Sequence, residues 1–172
     1  CARFYETLAL REGARRAVML DPNIRPGFIA DEGAYRTRLE RMLAAADIVK
    51  VSDEDLDWIE GEGPTRRRIE ALLGRGPALV CLTAGARGVT AWTAAGEVAV
   101  PAPRAEVVDT VGAGDTFNAG LLAGLHETGA LSKPALRELD EDTLREALTL
   151  GVRAAAVTVA RAGANPPWRE EL

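Results

Sequence analysis

What constrains the fold of this chain most is an alternation. Short apolar runs, which read as buried strands, are separated by segments whose apolar residues recur at helical spacing. Ala17-Val18-Met19-Leu20 ends at Asp21-Pro22-Asn23, where the proline ring imposes an extended or turn geometry. Leu39, Met42 and Leu43 then place a helix over residues 35–45, and Asp47-Ile48-Val49-Lys50-Val51 forms a second strand. Ser52 is positioned to cap a helix whose first turn, Asp53-Glu54-Asp55, sets carboxylates against the positive end of the helix dipole. A helix over 65–73 stops at Gly74 and leads to a third strand, Ala78-Leu79-Val80-Cys81-Leu82. Strand, helix and strand in that order call for a mostly parallel sheet covered by helices.

The pattern changes after Thr83. Residues 88–93 and 97–100 read as a hairpin around Ala94-Ala95-Gly96. Helices return over 115–126, with Phe117, Leu121, Leu122 and Leu125 apolar, and over 141–159, with Leu144, Ala147, Leu148, Val152 and Ala155 apolar. The polar stretch near 129–134 reads as a loop, and no repeat, low-complexity tract or linker divides the chain. Its opening residues already have helical spacing, Phe4, Tyr5 and Leu8 on one face, and the first residue is Cys1. The expectation is a fragment of a longer protein, with no export signal visible.

Composition narrows the function classes. At 172 residues, 47% hydrophobic and 27% charged, residues 1–172 suit one soluble globular domain. A net charge of −5 gives no footprint for nucleic acid, and no apolar run approaches the ~18 residues of a membrane span. Cys1 and Cys81 lie far apart without clustered histidines, which suits a reducing, cytoplasmic setting and offers no metal cage. Any Ser-His-Asp or Cys-His mechanism would run through His126, the single histidine, which sits where it favours a helix C-terminal dipole. Trp58, Trp92 and Trp168 read as packing residues.

Chemistry concentrates in Val108-Asp109-Thr110-Val111-Gly112-Ala113-Gly114-Asp115-Thr116-Phe117-Asn118-Ala119-Gly120. Two glycines around one small residue let backbone N–H groups converge, and the helix that follows adds its positive end, so the stretch reads as a phosphate cradle. Asp115 stands at the same helix start, where a carboxylate is in place to act as a base in phosphoryl transfer to an alcohol. The plainer alternative makes Asp115 a helix N-cap and the glycines a tight turn. Asp109 lies toward the strand end, where ligands gather in open α/β sheets. No dinucleotide fingerprint and no P-loop is present.

The run Asp109-Thr110-Val111-Gly112-Ala113-Gly114-Asp115-Thr116-Phe117 resembles the C-terminal signature of the ribokinase-like (PfkB) sugar kinases, and the resemblance extends from about Ala17 to the end. Asp21-Pro22-Asn23-Ile24-Arg25-Pro26 and Lys50-Val51-Ser52-Asp53-Glu54-Asp55-Leu56 are similar to fructokinases and 2-keto-3-deoxygluconate kinases of that family. The resemblance implies a three-layer α/β/α fold whose N-terminal half and lid are absent here. It implies Asp115 as the catalytic base, and the amides of Gly112, Ala113 and Gly114 as the hole for charge on the transferring phosphate. Thr83, Gly85 and Gly88 match the nucleotide loop, with Lys50 and Ser52 on the cofactor side as well. Asn23 and Arg25 match a pattern that meets substrate or phosphate. Ser52 and Asp55 fall where the family has Asn-x-x-Glu, which organises Mg²⁺-bound water; Asp55 is one methylene shorter, with Glu54 as a substitute and a solvated acidic first turn as the plainer account. Asp109 and the carbonyl of Val111 would bind K⁺. Arg161-Ala162-Gly163-Ala164 matches the turn beside the cation and adenine sites, and Ala154-Ala155-Ala156 presents a thin helix face, for close packing or for an adenine ring.

The leading expectation is therefore an ATP-dependent sugar kinase, most like a fructokinase, using ATP, Mg²⁺ and K⁺ on a small sugar, with dimers through the lid known in such a family. The alternatives are a 2-keto-3-deoxygluconate kinase and a nucleotide-binding fragment without turnover.

Overall fold

Hydrogen bonding at the strand starts shows how the alternation becomes a sheet. In the computed structural model, which describes residues 2–172, Asp47 N and Ile48 N both donate to Val18 O, and Ala78 N and Leu79 N both donate to Asp47 O. The strands are β1 (Met19–Leu20), β2 (Ile48–Ser52), β3 (Leu79–Thr83), β4 (Val89–Thr93) and β5 (Gly96–Val100), hydrogen-bonded in the order β1-β2-β3-β4-β5. β1 runs parallel to β2, with Met19 opposite Ile48 and Leu20 opposite Val49. The helices are α1 (Ala2–Glu12), α2 (Glu32–Ala45), α3 (Asp53–Glu60), α4 (Thr65–Leu73), α5 (Ala113–Glu127), α6 (Lys133–Arg137) and α7 (Glu141–Val159). This is the mostly parallel, helix-covered α/β sheet expected, with the hairpin β4–β5 as its mixed edge. None of the described helices is long and apolar enough to cross a membrane.

The chain divides into two compact units with interleaved segments. One takes the chain through Leu82 with Ala91–Gly96 and Ser132–Arg137; the other takes Thr83–Thr90, Glu97–Leu131 and Glu138–Leu172.

In the first unit α2, α3 and α4 cover the strands with a core that includes Leu43, Val49, Val51, Leu56, Ile69 and Leu72. Trp58 and Trp92 pack against it as expected, Trp58 edge-to-face with Tyr35 at 5.5 Å and beneath the Arg36 guanidinium at 3.8 Å. The α2 helix starts before the spacing suggests, because Asp31 accepts from Ala34 N and caps it. Residues 129–134 are only partly a loop: α6 begins at Lys133, whose ammonium lies 2.7 Å from both oxygens of buried Asp47. Asp47 also accepts from Val18 N at 3.0 Å, so an acid read as one position of an apolar strand is a buried junction. Cys81 is buried, which pushes its thiol up to about 12; Cys1 lies outside the described residues. Helix α1 forms as expected, but Phe4, Tyr5 and Leu8 remain exposed.

In the second unit α5 and α7 cross at backbone distance. A Cβ on Gly120 would lie 2.7 Å from Gly151 Cα, and one on Gly124 would lie 2.6 Å from Ala147 Cα. Thr158 Oγ1 donates to Thr116 Oγ1 at 3.1 Å inside that contact. Trp168, expected to pack, is 78% exposed. It follows Pro166-Pro167, and its backbone N–H donates to Glu171 Oε2, so the tail turns back on itself and leaves the ring in solvent.

Candidate active site

The glycine-rich run opens α5 with a left-handed residue. Gly112 is the N-cap at φ 79°, a conformation that strains any side chain, and a Cβ there would meet Ala164 Cβ at 3.0 Å. The N-cap is therefore Gly112, and the alternative that Asp115 caps the helix does not hold. Asp115 is the third helical residue, exposed, and among the described residues its carboxylate has no hydrogen bond or ion pair. An uncapped helix start leaves its first N–H groups without intrahelical acceptors. Ala113 N donates to Thr110 O at 3.3 Å, while no described residue accepts from Gly112 N, Gly114 N or Asp115 N. Asp115 N thus joins the amide set, and Ala113 N is the member already engaged.

Asp109 holds this loop in place. Its Oδ1 accepts from Val111 N at 3.0 Å and its Oδ2 from Gly163 N at 2.9 Å, while Val108 N and Asp109 N donate to Val159 O. One carboxylate thus ties the glycine loop to the turn after α7. These bonds, the Val111 amide first and Gly163 next, hold the Asp109 carboxyl below its ordinary range. No described residue donates to the Val111 carbonyl. Asp109 and Val111 O are hard oxygen donors of the kind a monovalent cation takes.

Beside the loop lies a cavity of about 580 Å³. Thr83, Gly85 and Gly88 line it from the β3–β4 connection, and Ala113 and Gly114 from the start of α5. Gly88, at φ 94°, is held where a Cβ would lie 2.2 Å from Val100 O, so this connection admits no side chain at that point. Ala155 and Ala156 face the cavity, whereas Ala154 is buried. Phe117, Arg104 and Val107 also line it and were not assigned to the site from the sequence. Phe117 had a signal, its place in the α5 apolar stripe. Residues 101–107 carry no regular structure and hence no periodicity to read.

The remaining expected site residues belong to the first unit. Lys50, almost fully buried in β2, has its ammonium 3.0 Å from Asp21 Oδ2. Asn23 is exposed at φ 42°, the one non-glycine residue with positive φ among those described, and Arg25 donates to Ile24 O at 2.9 Å. Ser52 and Asp55 form a reciprocal capping box: Asp55 N donates to Ser52 Oγ, while Ser52 N and Ser52 Oγ donate to Asp55 Oδ2. Asp55 Oδ1 accepts from Ile24 N at 2.7 Å, and the residue is 3% exposed. The solvated first turn is thus correct for exposed Asp53 and Glu54 and incorrect for Asp55. Asp55 organises the loop that carries Asn23 and Arg25. Its oxygens are already engaged, and among the described residues no three His, Cys, Asp or Glu are grouped to hold a metal ion. The set does not fit an all-protein Mg²⁺ cage, and Mg²⁺ is commonly held through substrate phosphates and water instead.

Residues 5–171 match the pfkB family carbohydrate kinase. A fructokinase of Rhizobium leguminosarum bv. trifolii is 49% identical over 145 residues, 84% of this chain and 44% of the relative. Among solved structures, fructokinase with bound ATP from Xylella fastidiosa superposes with a TM-score of 0.85 at 27% identity, covering 95% of this chain and 52% of that one. A double mutant of Vibrio cholerae O395 fructokinase with fructose, ADP and potassium ion gives a TM-score of 0.74 at 26% identity, over 86% of this chain and 46% of that one. The chain spans about half the length of the relatives it matches.

Proposed function

The chain belongs to the pfkB family of carbohydrate kinases, and from that premise we propose that it supplies the nucleotide site and catalytic base of an ATP-dependent sugar kinase acting on fructose. The observation that carries this reading is the unpartnered Asp115 carboxylate, one residue from the glycine that lines the cavity. In the reaction a sugar hydroxyl oxygen attacks the γ-phosphorus, the new P–O bond forms as the bond to the β-phosphate oxygen breaks, ADP departs, and Asp115 takes the hydroxyl proton. The free amides of Gly112, Gly114 and Asp115, at the positive end of α5, oppose the charge on the transferring group. Asp109 keeps those amides converged. Asp109 and the Val111 carbonyl would hold K⁺, which would stiffen the loop, and Mg²⁺ carried in with the nucleotide would neutralise charge on the phosphates. Fructose is favoured as substrate by the 49% identical relative, and the potassium site by the fructokinase structure that contains the ion.

The test is ATP-dependent phosphorylation by the intact protein over fructose, 2-keto-3-deoxygluconate and ribose. Fructose is expected to give the highest kcat/KM, and Asp115→Asn to lower kcat by about 100-fold or more with ATP binding retained. ATP binding without turnover of any of these sugars would reduce the reading to nucleotide binding, and retention of activity in Asp115→Asn would remove the base assignment.

A further inference from the structure

The nucleotide cavity is nearly without charge. Its walls are glycine, alanine, valine, threonine, proline and phenylalanine, and among the described residues that line it Arg104 is the one with a charged side chain. Arg104 lies in the extended segment after β5, is exposed, and has no hydrogen bond or ion pair with any described residue. Most of its neighbours in kind are committed: Arg145 to Glu141, Arg161 to Glu171 and Arg169 to Glu127 within the same unit. An exposed guanidinium left unpaired on a chain of net charge −5, on a residue that lines an apolar cavity, has no structural use that the contacts reveal.

The adjoining amides offer only partial charges to a triphosphate. Helix-start N–H groups position an anion, and a guanidinium adds to them a full opposing charge and a planar set of donors, beside whatever charge Mg²⁺ brings with the nucleotide. Resting on the nucleotide-site reading above, we propose that Arg104 is a nucleotide-specificity residue: its planar guanidinium pairs with the phosphates of a bound nucleoside di- or triphosphate. Because Arg104 is solvated when the site is free, pairing leaves no buried charge in the empty protein. Binding thus gains a charge-assisted contact that adenosine, lacking phosphate, cannot make.

Calorimetric titration of the intact protein with ATP, ADP and adenosine, for wild type, Arg104→Lys and Arg104→Met, tests this. Arg104→Met is expected to weaken ATP and ADP by about tenfold or more, since a hydrogen bond between two charged groups is stronger than one between neutral groups. Adenosine affinity should stay within about twofold, the salt dependence of ATP binding should become shallower, and Arg104→Lys should recover part of the loss. Equal ATP affinity in wild type and Arg104→Met overturns the inference while leaving the nucleotide site standing, and so does a parallel loss for adenosine, which would place the guanidinium on the base. Failure of the wild-type protein to bind ATP or ADP would instead overturn the nucleotide-site reading itself.

Discussion

At the scale of single residues, the site depends on which polar groups are engaged and which are left open. Asp115 and Arg104 are open; Asp55, Lys50 and Asp109 are taken up by backbone or by an opposite charge. Asp109 has the clearest titration consequence. Its folded-state pKa is lowered by the Val111 and Gly163 amides, so its contribution is fully present above the unfolded value and is lost as pH falls through the folded one. Loop order, read by hydrogen exchange of the Val111 and Gly163 amides, should therefore hold from neutral pH down to about pH 4, the ordinary aspartate range, and fall below it. Asp109→Ala should weaken ATP binding at all pH values and abolish that acid-side transition. An unchanged acid-side profile in the variant would show that the loop does not depend on this carboxylate. That Asp109 and Asp115 flank one glycine loop was legible from their spacing; that Asp109 ties the loop to Gly163 was not, because Gly163 lies 54 positions away. The commitment of Asp55 was not, because its partner Ile24 N lies far off in sequence and only folding brings it near.

At the scale of elements, helix periodicity placed α4 and α7 to the residue and missed starts where a cap decides, as Asp31 does for α2. It also could not tell where helices touch. The small-residue face at Ala154-Ala155-Ala156 suggested close packing, yet the backbone contact lies farther back along α7, at Gly151 and Ala147 against Gly120 and Gly124. Gly124→Ala sets two effects against each other: about 1 kcal/mol of helix propensity gained, and overpacking that costs about 1–3 kcal/mol. The new methyl would meet Ala147 backbone, which cannot rotate away, so the cost should win. The expected result is a lower urea midpoint with unchanged m, together with weaker ATP binding because α7 carries the Ala155 and Ala156 wall. Stabilisation instead would mean that the helices separate easily.

At the scale of the whole molecule, the interleaving of segments depends on distant polar contacts. Lys133 and Asp47 bring Ser132–Arg137 into the first unit across 86 positions of sequence. Breaking a buried ion pair by removing one partner costs about 3–5 kcal/mol; Val18 N still serves Asp47 and Lys133 is partly exposed, so Lys133→Met should cost about 2–3 kcal/mol. Denaturant unfolding measures this directly, and Lys133→Met combined with Asp47→Asn should recover part of the loss. An unaltered midpoint would make the pair incidental. The sequence by itself determined the α/β alternation, the hairpin and the glycine loop with its two carboxylates, since these rest on local periodicity, turn chemistry and residues adjacent in the chain. Only the tertiary structure decided that Asp55 and Asp47 are buried junctions, that Arg104 lines the cavity and that α5 and α7 meet at glycine, because burial and pairing are set by residues dozens of positions apart.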